Sequence, residues 1–221
     1  MKNLIILFCT IILSSCSINK KIIDKPVIFN EERTELTLQY LSERYSIDKN
    51  TPTIEPKMIV LHWTVIPTFE KTFETFNKSK IASSRTNIKN ASQLNVSSQF
   101  VVDQDGTIYR LMPETTMARH VIGLNHCAIG IENVGGGKDL PLTKAQLKSN
   151  IKLVKYLASK YNIEYLIGHF EYTNFVGHEL WLENDNSYRT KKTDPGKEFL
   201  NNVKKGTKNL HFKNTPSKLS L

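Results

Sequence analysis

The sequence has few cysteines, and no two of them can pair inside the folded chain. Cys9 and Cys16 lie in the first sixteen residues, a segment typical of an export signal, in which the first would be removed and the second acylated; Cys127 is then the one thiol of the folded chain. A small fold held together by intramolecular disulfides is therefore excluded. Cys127 stands beside Ala128 and Ile129, and no histidine–carboxylate pair follows it at a fixed offset. A packed core thiol is therefore favoured over a nucleophile.

The sequence also lacks an apolar run long enough to cross a membrane. The run from Leu4 to Leu13 falls well short of the roughly 20 residues that a membrane-spanning helix needs. With Lys2 before it, this run is typical of an export signal. The segment Leu13 to Cys16 resembles a bacterial lipobox, in which the cysteine becomes the lipidated first residue; a plain signal peptide cut near Ser15 is the alternative. We expect a lipoprotein of the cell envelope, anchored at the periplasmic face of the outer membrane rather than at the inner membrane.

The basic segments lack interleaved aromatic side chains. The net charge is +9, and basic residues are concentrated at Lys20-Lys21, from Lys78 to Lys89 and from Lys204 to Lys218. A nucleic-acid stacking platform alternates such charges with aromatic rings, so a nucleic-acid partner is disfavoured. For an exported protein, an anionic envelope surface is the expected partner, with a merely solvated basic face as the alternative.

No internal repeat is present, and the length suits one domain. We predict a signal peptide at residues 1–16, a tether with little structure at 17–30, a folded domain at 31–205 and a loose basic tail at 206–221. Apolar periodicity predicts helices at 31–45, after Pro67, after the capping box at Thr143 and at 197–205. Buried strands alternate with these helices, and Asp103–Gly106 is a hairpin turn. This order indicates an α/β fold with a single mixed sheet flanked by helices.

Two of the predicted strands end in histidine. Met58–Leu61 precedes His62, and Tyr165–Gly168 precedes His169, while Asp194 lies on a stiff Lys-Thr-Asp-Pro-Gly turn. Two imidazoles, one carboxylate and a water form a known type of catalytic zinc site. Each histidine taken alone is more often a hydrogen-bonded core residue. Together with Asp194 they are candidate ligands for one Zn²⁺.

Two further charged residues have properties that suit catalysis. Glu132 interrupts the otherwise apolar strand that begins at Ala128, and a carboxylate there is costly unless it lines a polar cavity. It is a candidate general base. Lys192 stands two residues before Asp194, so in an extended segment both side chains point the same way. It is a candidate for stabilising an oxyanion.

Five motifs occur in order along the chain: Ile59–His62, Val96-Ser97 with Phe100–Tyr109, Ile129–Glu132, Gly168-His169 and Lys192–Gly196. Together they resemble the zinc-dependent N-acetylmuramoyl-L-alanine amidases related to phage lysozyme-like amidases and peptidoglycan recognition proteins. The resemblance spans about Met58 to Phe199. It implies a mixed sheet with helices on its faces and a zinc-bound water that attacks the amide between the lactyl group of muramic acid and L-alanine. It also implies His62, His169 and Asp194 as ligands, Glu132 as base and Lys192 as oxyanion stabiliser.

The chain departs from the family pattern at three places. The family often has histidine where Gln99 stands. His120 precedes Val-Ile-Gly, where members usually show Trp-His-Ala-Gly; we predict His120 and the nearby Asn125 as substrate contacts. The gap between His169 and Asp194 is long, with an aromatic and charged insertion at Glu171–Thr190. His178 in that insertion is the rival third nitrogen ligand.

Two classes of function follow from this resemblance. The first is a monomeric amidase that acts on peptidoglycan or on muropeptides. The second is a lipoprotein that binds muropeptides with the same fold and does not cut them. Non-catalytic relatives generally lose a zinc ligand, whereas every ligand position is filled here, which favours the enzyme.

Overall fold

Six strands form one sheet at the centre of the protein. The computed structural model describes residues 22–83 and 90–217, so the predicted signal peptide and Cys16 lie outside the described residues. The strands are β1 Ile22–Asp24, β2 Met58–Leu61, β3 Phe100–Val102, β4 Ile108–Arg110, β5 Ala128–Asn133 and β6 Tyr165–Gly168. Their order in the sheet is β1-β4-β3-β5-β2-β6.

The sheet is mixed, as predicted. β3 and β4 pair antiparallel through the hairpin at Asp103–Gly106, and the other neighbours pair parallel. β2 lies between β5 and β6, with Leu61 opposite both Ile131 and Gly168. The carboxyl ends of these three strands therefore meet at one edge of the sheet.

The predicted helices are confirmed. They are α1 Glu31–Tyr45, α2 Phe69–Asn77, α3 Lys144–Lys160 and α4 Lys197–Gly206, with short 3₁₀ helices at His169–Phe175 and Lys208–Leu210. α3 begins with the predicted capping box, because the Thr143 side chain accepts from Gln146 N and the Gln146 side chain accepts from Thr143 N. None of the helices in the described ranges is long and apolar enough to cross a membrane.

Both faces of the sheet are covered, and β2 is buried throughout. Ile59 and Leu61 belong to the apolar cluster that includes α3 and α4, whereas Met58 and Val60 belong to a second cluster on the opposite face. That second cluster includes Tyr172, Phe175 and Leu180, which come from the Glu171–Thr190 insertion. One function of the insertion is therefore to cover the second face of the sheet.

Two predicted loose segments are corrected by the structure. Of the predicted tether at 17–30, the described part from Ile22 onward is not structureless, because β1 extends the sheet at β4 and Asp24 forms an ion pair with Arg110. The tail after Gly206 is also ordered in its first part. Leu210 and Phe212 pack against the core, and Lys213 N donates to Glu164 O. Both segments are too short to show a periodic pattern, so their few apolar residues gave no signal.

Candidate metal centre

Two adjacent parallel strands deliver the two histidines. His62 follows β2 and His169 follows β6, and the residues before them, Leu61 and Gly168, are paired in register. Both imidazoles therefore leave the sheet at the same edge. Asp194 comes from the loop before α4, where its carbonyl oxygen accepts from Phe170 N at 3.1 Å. This hydrogen bond ties the aspartate loop to the segment that carries His169.

Three side-chain atoms converge at this edge. His62 Nδ1 lies 3.0 Å from His169 Nδ1 and 3.1 Å from Asp194 Oδ2, and His169 Nδ1 lies 2.9 Å from Asp194 Oδ2. All three side chains are buried. Within residues 22–83 and 90–217, this is the one group of three or more histidine, cysteine, aspartate or glutamate side chains close enough together to hold a metal ion.

The electrostatics of the cluster suit metal binding. Burial would raise the pKa of Asp194, but its close contacts with His169 and His62 outweigh it and hold that pKa well below its usual range. Burial, followed by the neighbouring His62, lowers the pKa of His169 to about 4. At neutral pH the carboxylate is therefore ionised and His169 is neutral, which are the protonation states that bind a metal ion.

The donor set and its spacing fit zinc. With bonds of about 2.0–2.2 Å to nitrogen and oxygen, the ligand atoms of a tetrahedral Zn²⁺ lie about 3.4 Å apart. The three separations here are a few tenths of an ångström shorter, so a small expansion of the triangle would admit the ion. Two imidazoles and one carboxylate are also a donor set found in catalytic zinc enzymes, where the fourth position is left for water or substrate.

Glu132 and Lys192 lie on the walls of the same cleft. The cleft has a volume of about 260 Å³, and its walls include all three candidate ligands together with these two residues. Glu132 is half-buried near the end of β5, paired in register with Val101. The structure thus brings five residues predicted from four separate motifs to one cleft.

His120 contacts a candidate ligand. Its Nδ1 lies 3.0 Å from His62 Nε2, and its Nε2 lies 3.2 Å from the carbonyl oxygen of Ala128. Burial, followed by the charge of nearby His62, holds the pKa of His120 well below its usual range. His120 does line the cleft, but both of its ring nitrogens are engaged within the protein.

Asn125, the other predicted substrate contact, lies beside a recess next to the cleft but has no exposed surface, and its side chain is engaged within the protein. Its Oδ1 accepts from His120 N and Val121 N at 2.9 and 2.8 Å, and its Nδ2 donates to Tyr45 Oη at 2.9 Å. Asn125 therefore holds the loop that carries His120. No periodic pattern in the sequence distinguishes this role from a ligand contact.

Gln99 and His178 both have structural partners. The side chain of Gln99 is fully buried, where it accepts from Gly130 N at 2.7 Å and donates to Thr116 O at 2.8 Å. His178 Nε2 lies 3.3 Å from Tyr165 Oη, and its Nδ1 accepts from Leu180 N at 3.2 Å. The structure thus does not bring His178 to the metal cluster, where it was the rival ligand.

Sequence reasoning missed a recess beside the cleft. Its volume is about 60 Å³, and its walls include Tyr40 from α1, Arg119, and Tyr188 and Thr190 from the insertion. Arg119 Nη2 donates to Tyr188 Oη at 3.2 Å. Tyr40 lies on the buried face of α1, so its sequence pattern indicates only a core residue.

The rim of the cleft was also missed. Val65 is 64% exposed and has a φ of 55°, which is strained for a β-branched residue. The backbone is held there by hydrogen bonds from Val65 N to Gly135 O and from Gly135 N to Ile66 O. Trp63 packs against Gly136, where any added Cβ would lie 2.4 Å from the Trp63 side chain. Val65 is neither Gly nor Asn, the residues that usually adopt a positive φ, so its conformation could not be predicted from the sequence.

Comparison with known proteins assigns the chain to a family. The sequence profile of the family described as N-acetylmuramoyl-L-alanine amidase matches residues 49–197. No curated protein sequence matches the chain significantly.

Solved structures show the same fold. The amidase LysC from Clostridium intestinale URNW is 22% identical, with a TM-score of 0.52 over 87% of this chain and 99% of LysC. The AmpD selenomethionine derivative is 18% identical, with a TM-score of 0.53 over 86% and 94% of the two chains. Peptidoglycan recognition protein-LE, solved with tracheal cytotoxin, is 18% identical, with a TM-score of 0.50 over 84% and 94%. At these identities the likeness shows a shared fold, and the profile match over most of the sequence shows that the chain belongs to the N-acetylmuramoyl-L-alanine amidase family of peptidoglycan hydrolases.

Proposed function

We propose that the protein is a zinc-dependent amidase that cleaves the bond between the lactyl group of N-acetylmuramic acid and L-alanine. The observation that carries this proposal is the convergence of His62 Nδ1, His169 Nδ1 and Asp194 Oδ2 at 2.9–3.1 Å in a cleft shared with Glu132 and Lys192. When bound, Zn²⁺ supplies a Lewis acid that lowers the pKa of its water to near 7.

The chain's own residues divide the remaining work. Glu132 takes a proton from the attacking water and returns it to the amide nitrogen as the carbon–nitrogen bond breaks, as a general base and then acid. The Lys192 ammonium lies on the cleft wall and faces the charge that develops on the carbonyl oxygen. The two histidines and Asp194 would hold the metal, and neither Glu132 nor Lys192 is needed for metal binding.

A muropeptide-binding protein without activity is the second candidate. It is favoured by one observation, the fold shared with peptidoglycan recognition protein-LE, which was solved with a monomeric peptidoglycan fragment. Against it stands the complete set of donor atoms in the cleft, because a protein that only binds has no need of an open metal site. The amidase therefore remains the stronger candidate.

Purified peptidoglycan sacculi distinguish the two candidates. The zinc-loaded protein should release peptides with new L-alanine amino termini, identified by mass spectrometry. A chelator should stop the release, and added Zn²⁺ should restore it. Tight binding of sacculi without new amino termini would instead establish the binding protein.

We also propose that the protein is anchored in the cell envelope through lipid on Cys16. The support is the apolar run that ends in Leu13-Ser14-Ser15-Cys16, and dual acylation anchors far more firmly than one chain. The wild-type protein should fractionate with membranes, and Cys16→Ala should block lipidation and the cleavage before that residue. A wild-type protein found in the soluble periplasmic fraction with an unmodified amino terminus would contradict the anchor.

A further inference from the structure

We propose that His120 is a positioning residue that fixes the tautomer of His62, so that a lone pair on His62 Nδ1 faces His169 and Asp194. The inference rests on the proposed metal centre and adds a residue to it. It replaces the predicted role of His120 as a substrate contact.

The tautomer follows from a chain of two hydrogen bonds. A carbonyl oxygen only accepts, so the 3.2 Å contact with Ala128 O requires the proton of His120 to be on Nε2. The Nδ1 of a neutral His120 is then an acceptor. His62 Nε2, 3.0 Å away, must donate to it. In a neutral imidazole this leaves the His62 Nδ1 without a proton, and Nδ1 is the atom that meets the other two ligands.

Three features of the fold set the position of the His120 ring. Asn125 Oδ1 accepts from the backbone N–H groups of His120 and Val121 and so sets the loop. Gly130 leaves room for the ring, because a Cβ there would lie 2.9 Å from His120 Cδ2 and Cγ. The rings of His120 and His62 stand at 88° with their centroids 5.0 Å apart, so the nitrogen of one ring points to the edge of the other.

The arrangement leaves His120 no ring nitrogen for a substrate. Both nitrogens are engaged, one by a backbone carbonyl and the other by His62. If His120 Nδ1, the acceptor for His62 Nε2, is removed, His62 is free to take the other tautomer. In that tautomer Nδ1 carries a proton and cannot bind a metal. Loss of such an outer partner typically weakens metal binding by about 10–100-fold.

Two isosteric replacements separate the two nitrogens of His120. In His120→Asn the amide oxygen stands near the place of Nδ1, so it still accepts from His62 Nε2. In His120→Gln the amide nitrogen stands near the place of Nε2, so it keeps the Ala128 bond and abandons His62. His120→Phe removes both, and His178→Gln is the control, because His178 bonds to Tyr165 and Leu180 away from the cluster.

Two measurements on the full-length protein and its variants test the inference without using activity. The zinc dissociation constant is measured by competition with a chromogenic chelator. The His62 tautomer is read in the metal-free protein by long-range ¹H–¹⁵N correlation of its ring. We expect His120→Gln and His120→Phe to bind zinc about 10–100-fold more weakly and to lose the pure Nε2–H tautomer of His62. His120→Asn and His178→Gln should match the wild type in both.

The outcomes also separate this inference from the metal centre itself. If the wild type binds no zinc, the metal centre fails, and the tautomer measurement still decides the role of His120. If wild-type His62 carries its proton on Nδ1, or if folded His120→Gln binds zinc as tightly as His120→Asn, the inference is overturned. Should His120→Phe fail to fold, as judged by circular dichroism, the Asn and Gln pair alone gives the decision.

Discussion

His62 and His169 present the same atom to Asp194 but are supported in different ways. His62 is held through its second nitrogen, which bonds to His120 and through it to the sheet backbone at Ala128. His169 Nε2 is buried and makes no hydrogen bond to the residues that the structure describes. That ring is placed by packing, with the Tyr172 ring centroid 5.5 Å away. One ligand is therefore oriented by polar contacts and the other by the aromatic insertion.

The difference shows how a long insertion can serve a metal site. The insertion supplies Tyr172, whose Oη donates to Thr190 O at 2.8 Å and accepts from Thr190 N at 2.7 Å. These bonds tie the two ends of the insertion together, three residues after His169 and four residues before Asp194. The extra chain between the ligands is thus part of their support as well as a cover for the sheet.

Removal of the packed ligand should have the largest effect. In His169→Ala, stoichiometric zinc and activity should be lost together, because only two donors remain. The fold should survive, since the change lies at a strand end. Metal analysis of the purified variant provides the test, with His178→Ala as the control that keeps its zinc. One tightly held zinc in His169→Ala would show that another residue is the third ligand.

Glu132→Gln should leave both histidines in place and stop most of the chemistry. The amide keeps the volume of the side chain but cannot take the proton, and a general base typically contributes about 10²–10⁴-fold to the rate. Steady-state kinetics should show kcat lowered by that factor, and the acidic limb of the pH–rate profile should be altered. The zinc content should stay at one per protein. Near wild-type kcat in this variant would make Glu132 a structural carboxylate.

Lys192→Met should have a comparable or smaller effect. The variant keeps the side-chain stem and removes the charge, and an oxyanion donor typically contributes about 10²–10³-fold to kcat. The pH–rate profile should keep its shape and lose height, in contrast to Glu132→Gln. Lys191→Met is the matched control, since Lys191 is exposed and does not line the cleft. Equal rates in the two lysine variants would remove Lys192 from the mechanism.

The smallest effects should come from substitutions at two glycines, one beside the support of His62 and one beside the support of His169. These two supports are called the two arms of the site. In Gly130→Ala the new Cβ would press on the His120 ring, at 2.9 Å. In Gly168→Ala it would press on Phe170 and Pro195, at 2.8 and 2.9 Å. Both should weaken zinc binding, by no more than about tenfold. Only Gly130→Ala should disturb the His62 tautomer in the ¹⁵N measurement. The same tautomer change in Gly168→Ala would mean that the two arms are coupled through the cluster.

Much of the fold could be predicted from local patterns. The stripe of α3 and its capping box, the Asp103–Gly106 hairpin and the apolar runs before His62 and His169 each depend on residues close in sequence. Patterns of this kind also marked Glu132, a charge within an apolar strand. The edge strand β1 could not be found this way, because three residues show no period and their pairing with β4 is a long-range contact.

The sequence by itself determined the class of the fold and which side chains are able to bind a metal, because periodicity and residue chemistry are local properties. Only the tertiary structure decided how those side chains are held. His62 and His120 are 58 residues apart, and the space for the His120 ring comes from Gly130 on a different strand. The parallel pairing of β2 with β5 and β6 brings these residues together, and no local signal in the sequence records a contact that the sheet creates.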